Sequence, residues 1–197
     1  MTVSLVPSVP AQPADRDDRL LVHLRATAAG DDRAFERLHA ELHPTTLAFA
    51  LRMLGRYDRA EEVANDAMLA VWRGAASFEG RSRVTTWVFG IAYRMALRSR
   101  RRFGFERLHE TIDALLGSAD PAAPGADALL SAGRLTDAIA TLPPAARALV
   151  HMTYYYGFTA REIGEVMEVS ENTVKTRLAA ARRRMERALG PDAEGRA

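Results

Sequence analysis

Six cations crowd one short stretch near the end of this 197-residue chain. Between Glu171 and Arg187 stand Lys175, Arg177, Arg182, Arg183, Arg184 and Arg187, opposed only by Glu171 and Glu186. Val174, Leu178, Ala181 and Met185 recur at steps of four, three and four, which is one buried stripe of a helix. At about 100° per residue, Asn172, Lys175, Thr176, Ala179, Ala180 and Arg183 fall on the opposite face, with Arg177, Arg182 and Arg184 on its flanks. A helix so arranged can enter a DNA major groove and clamp phosphates on either side. The same residues also suit a solvated surface helix with a basic face.

The elements around this stretch favour the first reading. Thr159-Ala-Arg-Glu162 has capping-box spacing: the threonine hydroxyl accepts from the Glu162 N–H while the glutamate reaches back. A helix starting there turns Ile163, Val166 and Met167 inward and stops near Val169, and Ser170 can cap the next. Together they form a helix-turn-helix whose second helix is the basic one.

Earlier in the chain, Asp31 or Asp32 can cap a helix carrying Phe35, Leu38 and Leu42, stopped by Pro44. Another is expected from Thr45 to Leu54, ended by Gly55. Asp58-Arg-Ala-Glu61 reads as a cap that opens a helix to Arg73. In it Ala60, Val63, Ala64, Ala67 and Val71 face inward, and Glu62, Asn65, Asp66 and Leu69 face outward. Two acids and an amide around an exposed leucine suit a contact site for a basic partner, or ordinary solvent exposure. Ser77, Phe78, Glu79, Gly80, Arg81 and Ser82 form an irregular stretch. Phe78 there suits a packing anchor better than a platform for an unstacked base. A helix from Val84 to Arg101 or Arg102 follows, with Val84, Trp87, Val88, Ile91 and Met95 inward and a basic end. Cations at a helix C-terminus are favourable in themselves, but Arg98-Ser-Arg-Arg-Arg102 is denser than a cap requires.

Composition narrows the classes. At 48% hydrophobic and 26% charged residues, the chain can build a core. The net charge is only +2, so its distribution matters more than its sum. From Arg81 to Arg107 eight arginines face one acid, Glu106, which makes a local positive patch. Cysteine is absent, which excludes disulfides and thiol-based metal sites and fits a reducing cytoplasm. No apolar run approaches the roughly 20 residues of a membrane span, and the Pro-containing start is not an export signal. His39 and His43 stand four apart, as helix metal ligands can, yet Pro44 follows and no third ligand is evident. No metal, cofactor or catalytic site is expected. Tyr154-Tyr-Tyr156 suits core and boundary packing.

No segment alternates as a strand does, so the expected fold class is all-α, in two small helical domains on a flexible linker. The divisions are a tail over 1–19, a first domain over 20–103, a linker over 104–133 with Gly117 to Gly125 rich in breakers, a second domain over 134–190, and a tail over 191–197.

Read together, these residues resemble the extracytoplasmic-function sigma factors of bacterial RNA polymerase. The carriers are Gly30-Asp-Asp-Arg-Ala-Phe-Glu-Arg-Leu38, the run from Leu54 to Trp72, Thr86-Trp-Val-Phe-Gly-Ile-Ala92, Leu142-Pro, Gly157-Phe-Thr-Ala-Arg-Glu-Ile-Gly164, and Ser170-Glu-Asn-Thr-Val-Lys-Thr-Arg-Leu178. Their order in one short chain is the specific signal, and it covers about residues 20 to 190.

The resemblance implies a promoter-recognition subunit acting in the cytoplasm. Its first domain would bind core polymerase and open the −10 element, and its second would read the −35 element. By position, Glu62, Asn65, Asp66 and Leu69 would meet the β′ clamp. The stretch 77–82 would capture a flipped base, while Trp87, Arg94, Arg98 and Arg101 track the strand. Asn172, Lys175, Thr176, Arg177, Ala179, Ala180, Arg182, Arg183 and Arg184 would meet the −35 duplex. The β flap and an anti-sigma factor are further implied partners. Asn65 departs from a frequent glutamine, shortening that contact by one methylene. Ala179 and Ala180 allow methyl contact with thymine but no hydrogen-bond readout. No appended sensor domain is expected. A free-standing helix-turn-helix regulator and a helical adaptor that binds no DNA are the competing readings.

Overall fold

In a computed structural model, the structure describes residues 13–103 and 126–189, and no strand occurs among them. Eight α-helices are described: α1 (Pro13–Ala28), α2 (Asp32–Leu54), α3 (Tyr57–Gly74), α4 (Val84–Phe103), α5 (Ala126–Ala140), α6 (Pro144–Tyr154), α7 (Ala160–Met167) and α8 (Glu171–Leu189). A 3-10 turn, Ala75–Ser77, follows α3.

Several boundaries differ from the sequence reading. Helix α1 begins at Pro13, inside the expected tail, because Leu20 and Leu24 dock into a core with Leu38, Leu42, Met68 and Val88. Asp17 earns its place by a long-range contact. Its carboxylate accepts the N–H groups of Val84 and Thr85 at 3.0 and 3.1 Å and so caps α4. Pro44 does not stop a helix; α2 runs through it. One backbone bond is lost there, but Leu38, Leu42, Thr46 and Phe49 lie on one fully buried stripe that continuity preserves. Arg56, not Asp58, is the N-cap of α3; Asp58 sits in its first turn and accepts from the Arg56 guanidinium at 2.9 and 2.7 Å. Helix α5 starts at Ala126, within the expected linker. The breaker-rich stretch 117–125 and the terminal tail from 191 lie outside the described residues.

The two helical blocks pack directly on each other. Phe89 of α4 sits among Phe49, Tyr156 and Phe158 with ring centroids 5.0, 4.8 and 4.9 Å away, and Ile163, Val166 and Val174 join the same cluster. Ion pairs from Arg83 to Glu162 (2.9 Å) and Arg94 to Glu168 (3.1 Å) border the seam. Phe89, Ala92, Tyr93 and Ala96 are therefore buried, although they lie off the stripe that periodicity assigns to α4.

Helix α6 carries a buried histidine under this seam. Burial pushes His151 down to about 3, and the nearby Arg52 and Arg147 guanidiniums add to the shift. The folded protein thus holds His151 neutral, whereas the unfolded chain protonates it near 6.5. Its stabilising contribution is complete above pH 6.5 and falls as pH drops from 6.5 towards 3. By pH 5 the loss is about 2 kcal/mol. Denaturant unfolding at pH 7 and pH 5 checks this, with His151→Gln expected to flatten the difference. An equal acid loss in both proteins would assign it elsewhere.

Candidate nucleic-acid interface

The helix-turn-helix closes through short-range bonds. Thr159 Oγ1 accepts from the Glu162 N–H at 3.2 Å, and Glu162 Oε2 accepts from the Thr159 N–H at 2.8 Å, so the capping box is complete. Burial alone would raise the Glu162 carboxyl, but bonds from Thr159 and the Arg83 guanidinium outweigh it and hold it below the usual range. The turn into α8 needs Gly164, since a Cβ there would stand 2.7 Å from the Val169 carbonyl. Ser170 Oγ then accepts from the Thr173 N–H at 3.2 Å and caps α8.

In α8, Val174 and Ala181 are buried and Leu178 and Met185 half-buried. Asn172, Lys175, Thr176, Arg177, Ala179, Ala180, Arg182, Arg183 and Arg184 are all exposed. The side chains nevertheless differ in what engages them. Lys175 pairs with Glu171 at 2.6 Å, one turn back. Thr176 Oγ1 donates to the Asn172 carbonyl at 3.0 Å. Arg177 lies on the flank nearer the first block, close enough to act electrostatically on Tyr93, whose hydroxyl burial pushes up. Arg182 lies on the other flank, and its Nε donates to the Tyr154 hydroxyl at 2.6 Å.

In the first block a second basic surface leads away from an irregular loop. Phe78 is half-buried on Trp87, centroids 5.1 Å apart, and so acts as the loop's anchor. Ser77 Oγ donates to the Gly74 carbonyl at 2.8 Å, Glu79 pairs with Arg81, Gly80 takes φ 71°, and Ser82 Oγ donates to the Arg83 carbonyl at 3.3 Å. A cavity of about 200 Å³ opens between this loop and α1, lined by Leu21, Leu24, Arg25, Phe78, Glu79 and Gly80. Arg94, Arg98 and Arg101 are exposed, and their steps of four and three place them on one face of α4. Arg100 is turned elsewhere, donating to the Met53 carbonyl at 3.2 Å.

On α3, Glu62, Asn65, Asp66 and Leu69 are exposed opposite the buried Ala60, Val63, Ala64, Ala67 and Val71. Glu62 pairs with Arg59 at 3.0 Å. His39 and His43 stack at 4.6 Å, and His43 Nε2 lies 3.0 Å from Asn65 Oδ1. The two histidines thus buttress the outward face of α3. Trp72, 47% exposed, extends that face by one turn. Its spacing of three from Leu69 is the signal that could have added it to the sequence reading.

Against known families, the profile of sigma-70 region 2 matches residues 38–104 and that of sigma-70 region 4 matches residues 132–185. The chain is 32% identical over 167 residues to the ECF RNA polymerase sigma factor SigM of Mycobacterium tuberculosis, spanning 85% of this chain and 83% of the relative. The chain belongs to the extracytoplasmic-function (ECF) sigma factors. A second ECF relative, RpoE of Cereibacter sphaeroides, is 31% identical over 84% of this chain and 91% of its own. Among solved structures, CnrH in complex with the cytosolic domain of CnrY superposes with a TM-score of 0.66 at 23% identity, covering 89% of this chain and 99% of that one. RpoE with the anti-sigma factor NepR from Bartonella quintana gives 0.63 at 20% identity, covering 80% and 98%. This ECF chain therefore has the all-α sigma fold. The region 4 match takes in α5 from residue 132, which the sequence reading divided between linker and domain. None of its described helices is long and apolar enough to cross a membrane.

Proposed function

We propose that this ECF sigma factor directs core RNA polymerase to its promoters and captures the opened −10 strand, acting in the cytoplasm by recognition and carrying out no chemical step of its own. One observation carries the reading: a single chain presents an acidic-apolar face on α3 and a basic, exposed face on α8, within matches to sigma regions 2 and 4. Glu62, Asn65, Asp66 and Leu69 would dock on the β′ clamp. Lys175, Thr176, Ala179, Ala180 and Arg183 would meet base edges, with Arg177, Arg182 and Arg184 on phosphates and the β flap supporting this domain. An anti-sigma factor belongs to the proposal through the family resemblance. Co-purification with core polymerase, followed by promoter-specific transcription in vitro, tests it. A free-standing regulator would bind DNA without core and start no transcript, and an adaptor would do neither.

The loop before α4 supplies a narrower test. An unstacked base costs a few kcal/mol, which a pocket must offset; the cavity beside Glu79 and Gly80 supports that role. Phe78 anchors the loop on Trp87, so the change is confined to Glu79, Gly80 and Arg81. Replacing them with serine is expected to leave core binding and −35 contact intact and to prevent melting. Permanganate reactivity of promoter thymines in the holoenzyme complex reads this. Wild-type reactivity would remove the loop from the mechanism.

A further inference from the structure

The structure assigns Tyr154 a role in the −35 interface: it is the positioning residue that holds Arg182 for one DNA phosphate, an inference that rests on α8 being the −35 recognition helix. Tyr154 ends α6, and 54% of it is exposed, so it is not the packing residue that its place in a tyrosine triplet suggests. Its hydroxyl accepts from Arg182 Nε at 2.6 Å, and the guanidinium carbon lies 5.7 Å from its ring centroid. Two chain segments 28 residues apart meet in this bond.

What Arg182 does not do is informative. Glu186 stands four residues along α8, within reach of Arg182 although in the less favoured order of charges. Arg161 makes that same pair with Glu165 at 3.4 Å, Lys175 pairs with Glu171, and Arg94 pairs with Glu168. Each of those cations is neutralised and must leave a carboxylate before it can meet an anion. Arg182 instead takes a neutral partner, so its orientation is restrained while its charge stays available.

The chemistry that fits is a phosphate oxygen. With Nε bound to tyrosine, the two terminal nitrogens keep four N–H donors in a planar fork, the geometry that grips a phosphate with two parallel bonds. The tyrosine stem has few rotatable bonds, so less freedom is lost when the phosphate arrives. At about 100° per residue, Arg182 and Arg177 fall on opposite flanks of α8. Arg177 lies near Tyr93 of the first block, and the Tyr154–Arg182 pair lies on the other side.

Promoter binding by the holoenzyme, measured across a salt series on wild-type and base-substituted −35 elements, tests the assignment. Tyr154→Phe keeps the ring and removes only the hydroxyl. It should weaken binding about three- to tenfold, equally for every −35 sequence. Arg182→Ala should weaken binding at least as much and reduce the salt slope by about 1. In the Arg182→Ala background the tyrosine change should cost less than twofold, because its effect runs through the arginine. Equal losses from Tyr154→Phe in both backgrounds, or no loss in either, would overturn the proposal. So would a loss confined to particular −35 sequences. If base substitutions across the −35 element leave wild-type affinity unchanged, the reading of α8 itself fails, which is a separate result.

Discussion

Replacing Phe89 with alanine is expected to undock the two helical blocks while both remain folded. Phe89 is 2% exposed and meets aromatic rings from α2, from Tyr156 and from Phe158. Truncating such a residue costs about 3–5 kcal/mol. The ion pairs beside it, Arg83–Glu162 and Arg94–Glu168, are part-exposed and contribute about 0–1 kcal/mol each. The rings therefore hold the seam and the charges border it. The first block keeps its own cluster of Leu20, Leu38, Met68 and Val88, which Phe89 does not join.

The functional stake is distance. Positions −35 and −10 differ by about 25 base pairs, about 85 Å at 3.4 Å per step. Here the two blocks touch: a Cβ on Gly90 of α4 would stand 4.0 Å from the Val166 Cα of α7. On the proposed assignment of the first block to the −10 element and the second to the −35 element, reading both at once would require the seam to open and Arg94 to leave Glu168. The Phe89→Ala protein should show a larger radius by small-angle scattering and two unfolding transitions in urea where wild type shows one. Glu168→Ala, which breaks only an ion pair, should leave both unchanged. An unaltered radius and a loss under about 1 kcal/mol for Phe89→Ala would mean that the seam is held by something else.

Reversing Glu62 and Asp66 together to lysine is expected to abolish co-purification with core polymerase. Both are exposed on α3, around Leu69 and the protruding Trp72. Close charge pairs across interfaces are coupled by about 1.5–7 kcal/mol, so two reversals against a basic partner should exceed a hundredfold in affinity. Glu62 gives up only its pairing with Arg59 inside the chain, and neither side chain is in the core. Circular dichroism should therefore be unchanged. Wild-type yield of the complex would move the clamp contact off this face.

Local signals determined much of this molecule. The capping box at Thr159, the cap at Ser170, and the inward and outward faces of α3 and α8 all follow from bonds and periodicities within four residues. Each of those helices is buried on one side only, so its apolar stripe has a single meaning. Family membership was legible largely for the same reason, because the motifs of α3, α7 and α8 lie on those one-sided helices and their turns; the motif over 86–92 lies on a helix buried on two sides.

Only the tertiary structure decided what distant segments do to one another. Asp17 caps α4 across 67 residues, and the core beneath α2 carries the helix through Pro44. Tyr154 is turned outward to Arg182. Helix α4 shows the limit most plainly. Val84 and Val88 belong to the first block, whereas Phe89, Ala92, Tyr93 and Ala96 belong to the cluster shared with the second. A helix buried on two sides has apolar residues around most of its circumference. Periodicity then identifies a helix without saying which neighbour each face meets, and docking of the two blocks makes that choice.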